Sequence, residues 1–444
     1  MRTLLIVMAS GSIVLAQAPQ RELPLSLADA IAKGLAYSAR LAEMDARAKA
    51  ADAAVAASVA ADRPSAAAVG GYTRTNHVEE FTIPIPGLPP RVVYPDIPDN
   101  YRARLDLQWP IYTGGRSDAL ERAARAERGA AGEDVAAARA DLRLEITRAY
   151  WALVTARETE AVLARSLEAI DAQVKDLRAR LEQGLIPPND LLSAQAQQSR
   201  QRRFAIEARN VRAVAEADLR RLTGIEDAGE IVPVPVSPEM VAATNPRQLA
   251  AATDPLIAQA RAERPERKAL EARITAADDR QTAAHDAARP FVALAGGYDY
   301  ARPNPRIFPR TRDWRQAWDA SLNVTWSLWD GGRRAADEAL AAANALAARA
   351  RLDEFDRQLT LEVRQRWYEL DSSRAAVAAA EDERTAAAEA ERVVGERYRA
   401  GVATTTDVLE AQVARLQADL DRTRAIANVR LAEARLARAL GQEP

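Results

Sequence analysis

The sequence predicts an internally duplicated protein of mixed α and β structure. Long helices pair as coiled coils, and four short strands per chain cross a membrane as part of a barrel shared between copies. Three observations carry this prediction. The chain repeats itself at a constant spacing, and each repeat holds strand-like segments that alternate apolar and polar residues between aromatic brackets. Beyond the first residues, no apolar run reaches the roughly 18 residues that a membrane helix needs.

Composition narrows the class. The 444 residues carry 61 basic and 63 acidic side chains for a net charge of −2, interleaved along helical stretches. That pattern offers neither a basic face for nucleic acid nor an acidic tail. With no cysteine, a disulfide framework, a thiolate metal site and a Cys-linked lipid anchor are excluded. His77 and His285 are the only histidines, which leaves little for metal or acid–base chemistry; no cofactor and no catalytic constellation of nucleophile and base is implied. Residues 1–18 read as a secretory signal: Arg2, then an apolar run from Leu4 to Ala16 broken only by Ser and Gly, then Ala-Gln-Ala ending at Ala18. Cleavage after Ala16 fits the same pattern.

The duplication is exact in spacing. Residues 105–224 lie over 322–441 at an offset of 217 without a gap, so that LDLQWPIYTGGR (Leu105 to Arg116) meets LNVTWSLWDGGR (Leu322 to Arg333). Tyr150-Trp151 meets Trp367-Tyr368, Gly184 meets Gly401, and Gly224 meets Gly441. Upstream the offset is 226, with RPSAAAVGGY (Arg63 to Tyr72) over RPFVALAGGY (Arg289 to Tyr298), so the first half holds nine more residues between Tyr72 and Tyr101. The first repeat is assigned to 19–224 with strands within 63–113, a linker to 225–246, and the second repeat to 247–444 with strands within 289–330. Each repeat reads as helix, two strands, long helix, turn, helix.

The elements follow in order. One helix is expected near Leu27–Asp62. Ser117 to Gln183 contains no Pro and only two Gly, and as one helix would rise about 100 Å at ~1.5 Å per residue. Leu163, Leu167, Ile170, Val174, Leu177 and Leu181 follow the alternating spacing of four and three that marks a coiled-coil seam. GLIPPND and GVATTTD supply turns, and a return helix is expected over Asn189–Thr223. In the strands, Tyr101, Ala103, Leu105, Leu107, Trp109 and Ile111 share one face, and Arg102, Arg104, Asp106 and Gln108 the other. Trp318, Ala320, Leu322, Val324, Trp326 and Leu328 repeat the apolar face. Tyr101, Trp109, Trp318 and Trp326 therefore read as an aromatic girdle against lipid. Four strands cannot close alone, and open sheet edges are not tolerated in lipid; eight or twelve strands from several copies would close, and only the wider barrel leaves an aqueous lumen. The Pro-rich loop from His77 to Asn100 joins the outer ends of two strands and is expected to face the cell exterior.

LSLADAIAKGL near the start, the two Trp-to-Gly-Gly-Arg strand endings, and ERYRAGVATTTDVLEAQ (Glu396 to Gln412), echoed in ARLEQGLIPPNDLLSAQ, resemble the TolC family of outer-membrane factors over essentially the whole mature chain. The resemblance implies a homotrimer whose twelve strands form an outer-membrane β-barrel and whose helices continue as a long periplasmic α-helical barrel, with a small equatorial layer to which GEIVPVPV contributes strands. It implies an exit duct of a tripartite efflux pump or of a type I protein secretion system. By the same resemblance the tips, Gly184, Leu185, Ile186, Gly401, Val402 and Ala403, dock onto a periplasmic adaptor (membrane fusion protein) seated on an inner-membrane pump. Asp407 and Glu410 occupy the family's acidic constriction, with Asp190 as the one acid retained in the first half. Tyr398 matches the family's closing network, but its basic partner is replaced by Ala403, leaving Arg397 or Arg399 as substitutes. Asp190 and Asp407 also suit helix N-caps. The reading from another class is a non-membrane periplasmic coiled-coil adaptor, which needs one helical hairpin and no aromatic-bracketed strands.

Overall fold

The computed structural model describes residues 21–234 and 249–442, with side chains in the second stretch from Thr253 onward. The proposed signal at 1–18 and part of the linker lie outside the described residues. Along the chain run β1 (Glu22–Leu25), α1 (Leu27–Tyr37), α2 (Ala39–Ala60), β2 (Ser65–Arg74), β3 (Phe81–Ile85), β4 (Leu88–Tyr94), β5 (Asp99–Tyr112), α3 (Arg116–Glu182) and α4 (Pro188–Thr223). After them come β6 (Glu230–Pro233), α5 (Leu249–Glu263), α6 (Pro265–Asp286), β7 (Phe291–Arg302), β8 (Arg315–Thr325), α7 (Arg333–Arg399) and α8 (Thr405–Ala439). The chain divides into two compact units, to both of which α3 and α7 contribute.

The first unit holds 21–41, 138–264 and 359–442 among the described residues. Its helices form because Ala, Leu, Arg and Glu dominate and Pro is rare within them, Pro255 in α5 being the exception. The expected seam is buried: Leu163, Ile170, Val174 and Leu177 are each at most 4% exposed. β1 and β6 pair in parallel, Glu22 opposite Glu230, and lie against α3. There the fully buried Tyr150 donates its hydroxyl to the carbonyls of Val234 (3.1 Å) and Leu25 (3.3 Å). A buried phenol needs such partners. Gly224 caps α4 in the left-handed region (φ 67°) with Tyr37 so close that a Cβ would sit 2.4 Å from its ring.

The single helix expected over 27–62 is two. Ser38 adopts an extended conformation (φ −65°, ψ 114°) and its Oγ accepts the Leu41 amide at 3.3 Å, ending α1 and capping α2. The equivalent break in the second half falls at Arg264, before Pro265 at the start of α6. Proline disfavours helical backbone in the residue before it.

The second unit, 42–137 and 265–358, is built on a four-stranded antiparallel sheet in the order β2-β5-β7-β8. One face is apolar and exposed: Leu322 is 63% and Trp318 74% accessible. The other face carries charge. Asp299 is 1% exposed and receives both Arg102 Nε (2.5 Å) and Nη2 (3.0 Å), together with Arg104, which also reaches Asp319 at 3.1 Å. The loop between β2 and β5 contains a second hairpin, β3 with β4, turning at Gly87 (φ 77°). The extra nine residues of the first half lie within this loop. His77 bonds Asp96 at 2.6 Å, which holds the Asp96 carboxyl below the usual carboxylate range.

Candidate functional site

The two turns GLIPPND and GVATTTD close their helices identically. In the first, Gly184 (φ 72°) donates to the Leu181 carbonyl at 2.9 Å and Leu185 to that of Arg180 at 2.9 Å. In the second, Gly401 (φ 76°) donates to Tyr398 at 3.0 Å and Val402 to Arg397 at 2.8 Å. Each is a Schellman closure, which needs a residue in the left-handed region and so selects glycine. The residue after each glycine is consequently thrust outward: Leu185 is 68% and Val402 67% exposed. Ile186 turns back and packs on the seam formed by Ile170, Val174, Leu177, Leu191 and Ala194. Ala403 is half-buried.

Neither aspartate is an N-cap, contrary to one expectation. The backbone enters α8 at Thr404 (φ −89°, ψ 164°), whose Oγ1 accepts the Asp407 amide at 3.2 Å while Asp407 Oδ2 accepts the Thr404 amide at 2.7 Å. Asp407 is thus the third helical residue of a capping box. The amide bond from Thr404, with smaller help from its hydroxyl and from Arg397, holds the Asp407 carboxyl below its ordinary range. Being depressed, it keeps its charge and its capping contribution down through the ordinary aspartate range, and loses them only as pH falls through the lowered value. α4 begins after Pro187, which offers no side-chain cap. Asp190 instead accepts the hydroxyl of the buried Thr405 at 3.0 Å, joining the start of α4 to that of α8. Glu410 is exposed one turn beyond Asp407.

The proposed closing residues are also near one another. Arg180 lies over the Tyr398 ring at 5.4 Å, a cation–π contact, while the Arg397 carbonyl closes the turn and its side chain stands near enough to Asp407 to favour the charged form. Thr404, Thr405 and Arg180 were not singled out from sequence. The TTTD run held the signal for the first, since Thr followed three residues later by an acid marks a capping box; nothing local could place Arg180 on Tyr398.

The outer membrane efflux protein family profile matches residues 30–225 and 256–442. The chain belongs to that family. Over 231 residues it is 29% identical to Protein CyaE of Bordetella pertussis, a stretch that is 51% of this chain and 47% of that protein. The chain thus spans about half the length of this curated relative. Among solved structures it is similar to the outer membrane protein VceC of Vibrio cholerae (TM-score 0.77, 20% identity, covering 94% of this chain and 96% of that one). It is also similar to the CmeC outer membrane channel of Campylobacter jejuni (TM-score 0.76, 16% identity, covering 99% and 94%). The fold expected from the sequence, a TolC-type outer-membrane channel with an internal duplication, is therefore the fold of this family member. The outer membrane efflux proteins are outer-membrane channels that extend into the periplasm, a channel family and not an enzyme family. None of the helices among the described residues is long and apolar enough to cross a membrane.

Proposed function

We propose that three copies of this outer membrane efflux protein form the exit duct of a tripartite efflux pump, a passive channel carrying substrates across periplasm and outer membrane. One observation carries the reading: a four-stranded sheet with apolar residues exposed on one face, charged residues on the other, and backbone groups along the outer edges of β2 and β8 that have no neighbouring strand among the described residues. In lipid such edges must be paired, and further copies of the same sheet are the simplest partner. Twelve strands give a lumen wide enough for water. Tyr101, Trp109, Trp318 and Trp326, all exposed, then face the interfacial lipid. The exposed tips, led by Leu185 and Val402, are the surface for a periplasmic adaptor and its inner-membrane pump. Asp407, Glu410 and Asp190 line the constriction behind them, and Tyr398 with Arg180 and Arg397 holds the entrance.

The assembly is tested by mass. Light scattering of the detergent-extracted protein is expected to give three times the chain mass; a monodisperse monomer with its β signal intact overturns the reading.

Orientation is tested at Gly87, whose added Cβ would meet nothing within 4 Å. An epitope inserted there is expected to bind antibody on intact cells. Labelling only after the outer membrane is opened would reverse the orientation.

A further inference from the structure

The internal duplication specifies how one copy meets the next, residue by residue. Within each repeat the strand register transposes pair for pair. Tyr72 opposite Tyr101 becomes Tyr298 opposite Trp318, and Ser65 opposite Gln108 becomes Phe291 opposite Thr325, when the offsets of 226 and 217 are applied. The chain makes a third seam of this kind, between β5 of the first repeat and β7 of the second, with Leu105 opposite Tyr298 and Leu107 opposite Gly296. Its counterpart would join β8 to β2, the two edges of the sheet, and among the described residues no strand of the same chain fills it.

We infer that β8 of one copy pairs antiparallel with β2 of its neighbour in the register obtained by transposing the β5–β7 seam. Advancing 105 by 217 gives Leu322, and moving 298 back by 226 gives Tyr72, so Leu322 faces Tyr72 of the next copy; Ser321 then faces Thr73, and Val324 faces Gly70. This rests on the shared-barrel reading above and adds to it the register and the contacts.

Two features agree with the transposed register. The first is parity. Opposed residues share a face, and a slip of one residue would turn the apolar set inward; here apolar Leu322 and Val324 meet the lipid-side Tyr72 and Gly70. The second is the strand-to-helix turn. Gly114 and Gly115 sit tightly against Arg289 and Asp286, and Arg289 Nη1 donates to the Gly114 carbonyl at 2.8 Å. Their counterparts Gly331 and Gly332 hold the same left-handed conformation (φ 71° and 89°) yet an added Cβ would meet nothing within 4 Å. The counterpart of Arg289 is Arg63, which is exposed and sits in the same local turn: its amide donates to Ala60 at 3.1 Å as that of Arg289 donates to Asp286 at 3.0 Å. Arg63 of one copy therefore reaches the Gly331 carbonyl of the next.

The seam between copies is also chemically unlike the seam within the chain. Where β5 and β7 bring Arg104 to Asp299, β8 and β2 bring Ser321 to Thr73. Charge fixes the inner seam and backbone pairing with apolar packing fixes the outer one.

The chain has no cysteine, so every introduced thiol is at a known place. Two in-register pairs, Thr73→Cys with Ser321→Cys and Tyr72→Cys with Leu322→Cys, sample both alternating pair types of an antiparallel ladder. Two slipped pairs, Gly71→Cys with Ser321→Cys and Thr75→Cys with Ser321→Cys, are the comparison. Under mild oxidation of outer-membrane trimers, at least one in-register pair is expected to give about ten-fold more covalent trimer than either slipped pair. A two-residue slip leaves diagonal neighbours about 7–8 Å apart, beyond the ~3.5–4.5 Å between Cβ atoms of a disulfide. Efficient linking of a slipped pair overturns the register and leaves the shared barrel standing. Intact trimers in which no pair links overturn the β8–β2 seam itself. A folded monomer defeats the seam and the shared barrel together. Arg63→Ala, which alters no strand, is expected to lower the temperature at which the trimer dissociates in SDS; an unchanged temperature removes the Arg63–Gly331 contact.

Discussion

Export is expected to fall to background when Leu185 and Val402 are both replaced by aspartate, while the amount of trimer in the outer membrane stays unchanged. These side chains are 68% and 67% exposed at the apex of the two Schellman turns, so they contribute little to the chain's own packing. Their replacement should act on the partner that covers them. Gly184→Arg with Gly401→Arg is expected to give the same loss by a second route. Left-handed backbone costs a non-glycine residue roughly 1–2 kcal/mol, so the turn opens or strains at φ values of 72° and 76°. Gly87→Arg controls for that strain, because Gly87 has φ 77° and equally open surroundings but lies in the β3–β4 hairpin. It should leave export intact. Normal export in the Leu185 and Val402 double variant, measured as drug resistance of a strain lacking other exit ducts, would remove the docking role of the tips.

The second large effect is expected in ion selectivity. Replacing Asp407 by Asn and Glu410 by Gln removes two carboxylates from each copy, and planar-bilayer recordings should show a weaker preference for cations and weaker block by multivalent cations. The capping box makes this test clean. Asn at position 407 can still accept the Thr404 amide through its side-chain carbonyl, so the local helix start survives while the charge is lost. Salt should mute the difference, as the Debye length falls from about 10 Å at 0.1 M to about 3 Å at 1 M. Unchanged selectivity at low salt, with the trimer intact, would assign Asp407 to helix capping alone.

Much of the architecture is carried by local chemistry and is therefore legible along the chain. The first long helix, expected over 117–183, runs over 116–182 because its boundaries are set by the Gly-Gly-Arg turn at one end and the glycine of a Schellman closure at the other. The coiled-coil seam and the two faces of the strands follow from side-chain periods of 3.5 and 2, which depend on backbone geometry alone. The duplication went further, since equal sequence spacing became equal strand register in both hairpins.

Other features depended on residues brought together from afar. The break at Ser38 has no proline or glycine to announce it; the helix ends there because a serine hydroxyl caps the next one while Tyr37 packs on Gly224, far away in sequence. The β3–β4 hairpin lies in a segment whose sequence shows only a Pro-rich loop. The contact of Asp190 with Thr405, and that of Tyr398 with Arg180, each bring in a residue of the other repeat. The sequence by itself determined the repeat, the elements and their faces, because those follow from short-range periodicity. Only the tertiary structure decided which seam is closed within the chain and which strands stand at the edges of the sheet among the described residues, because strand pairing and tip contacts depend on distances that no local pattern encodes.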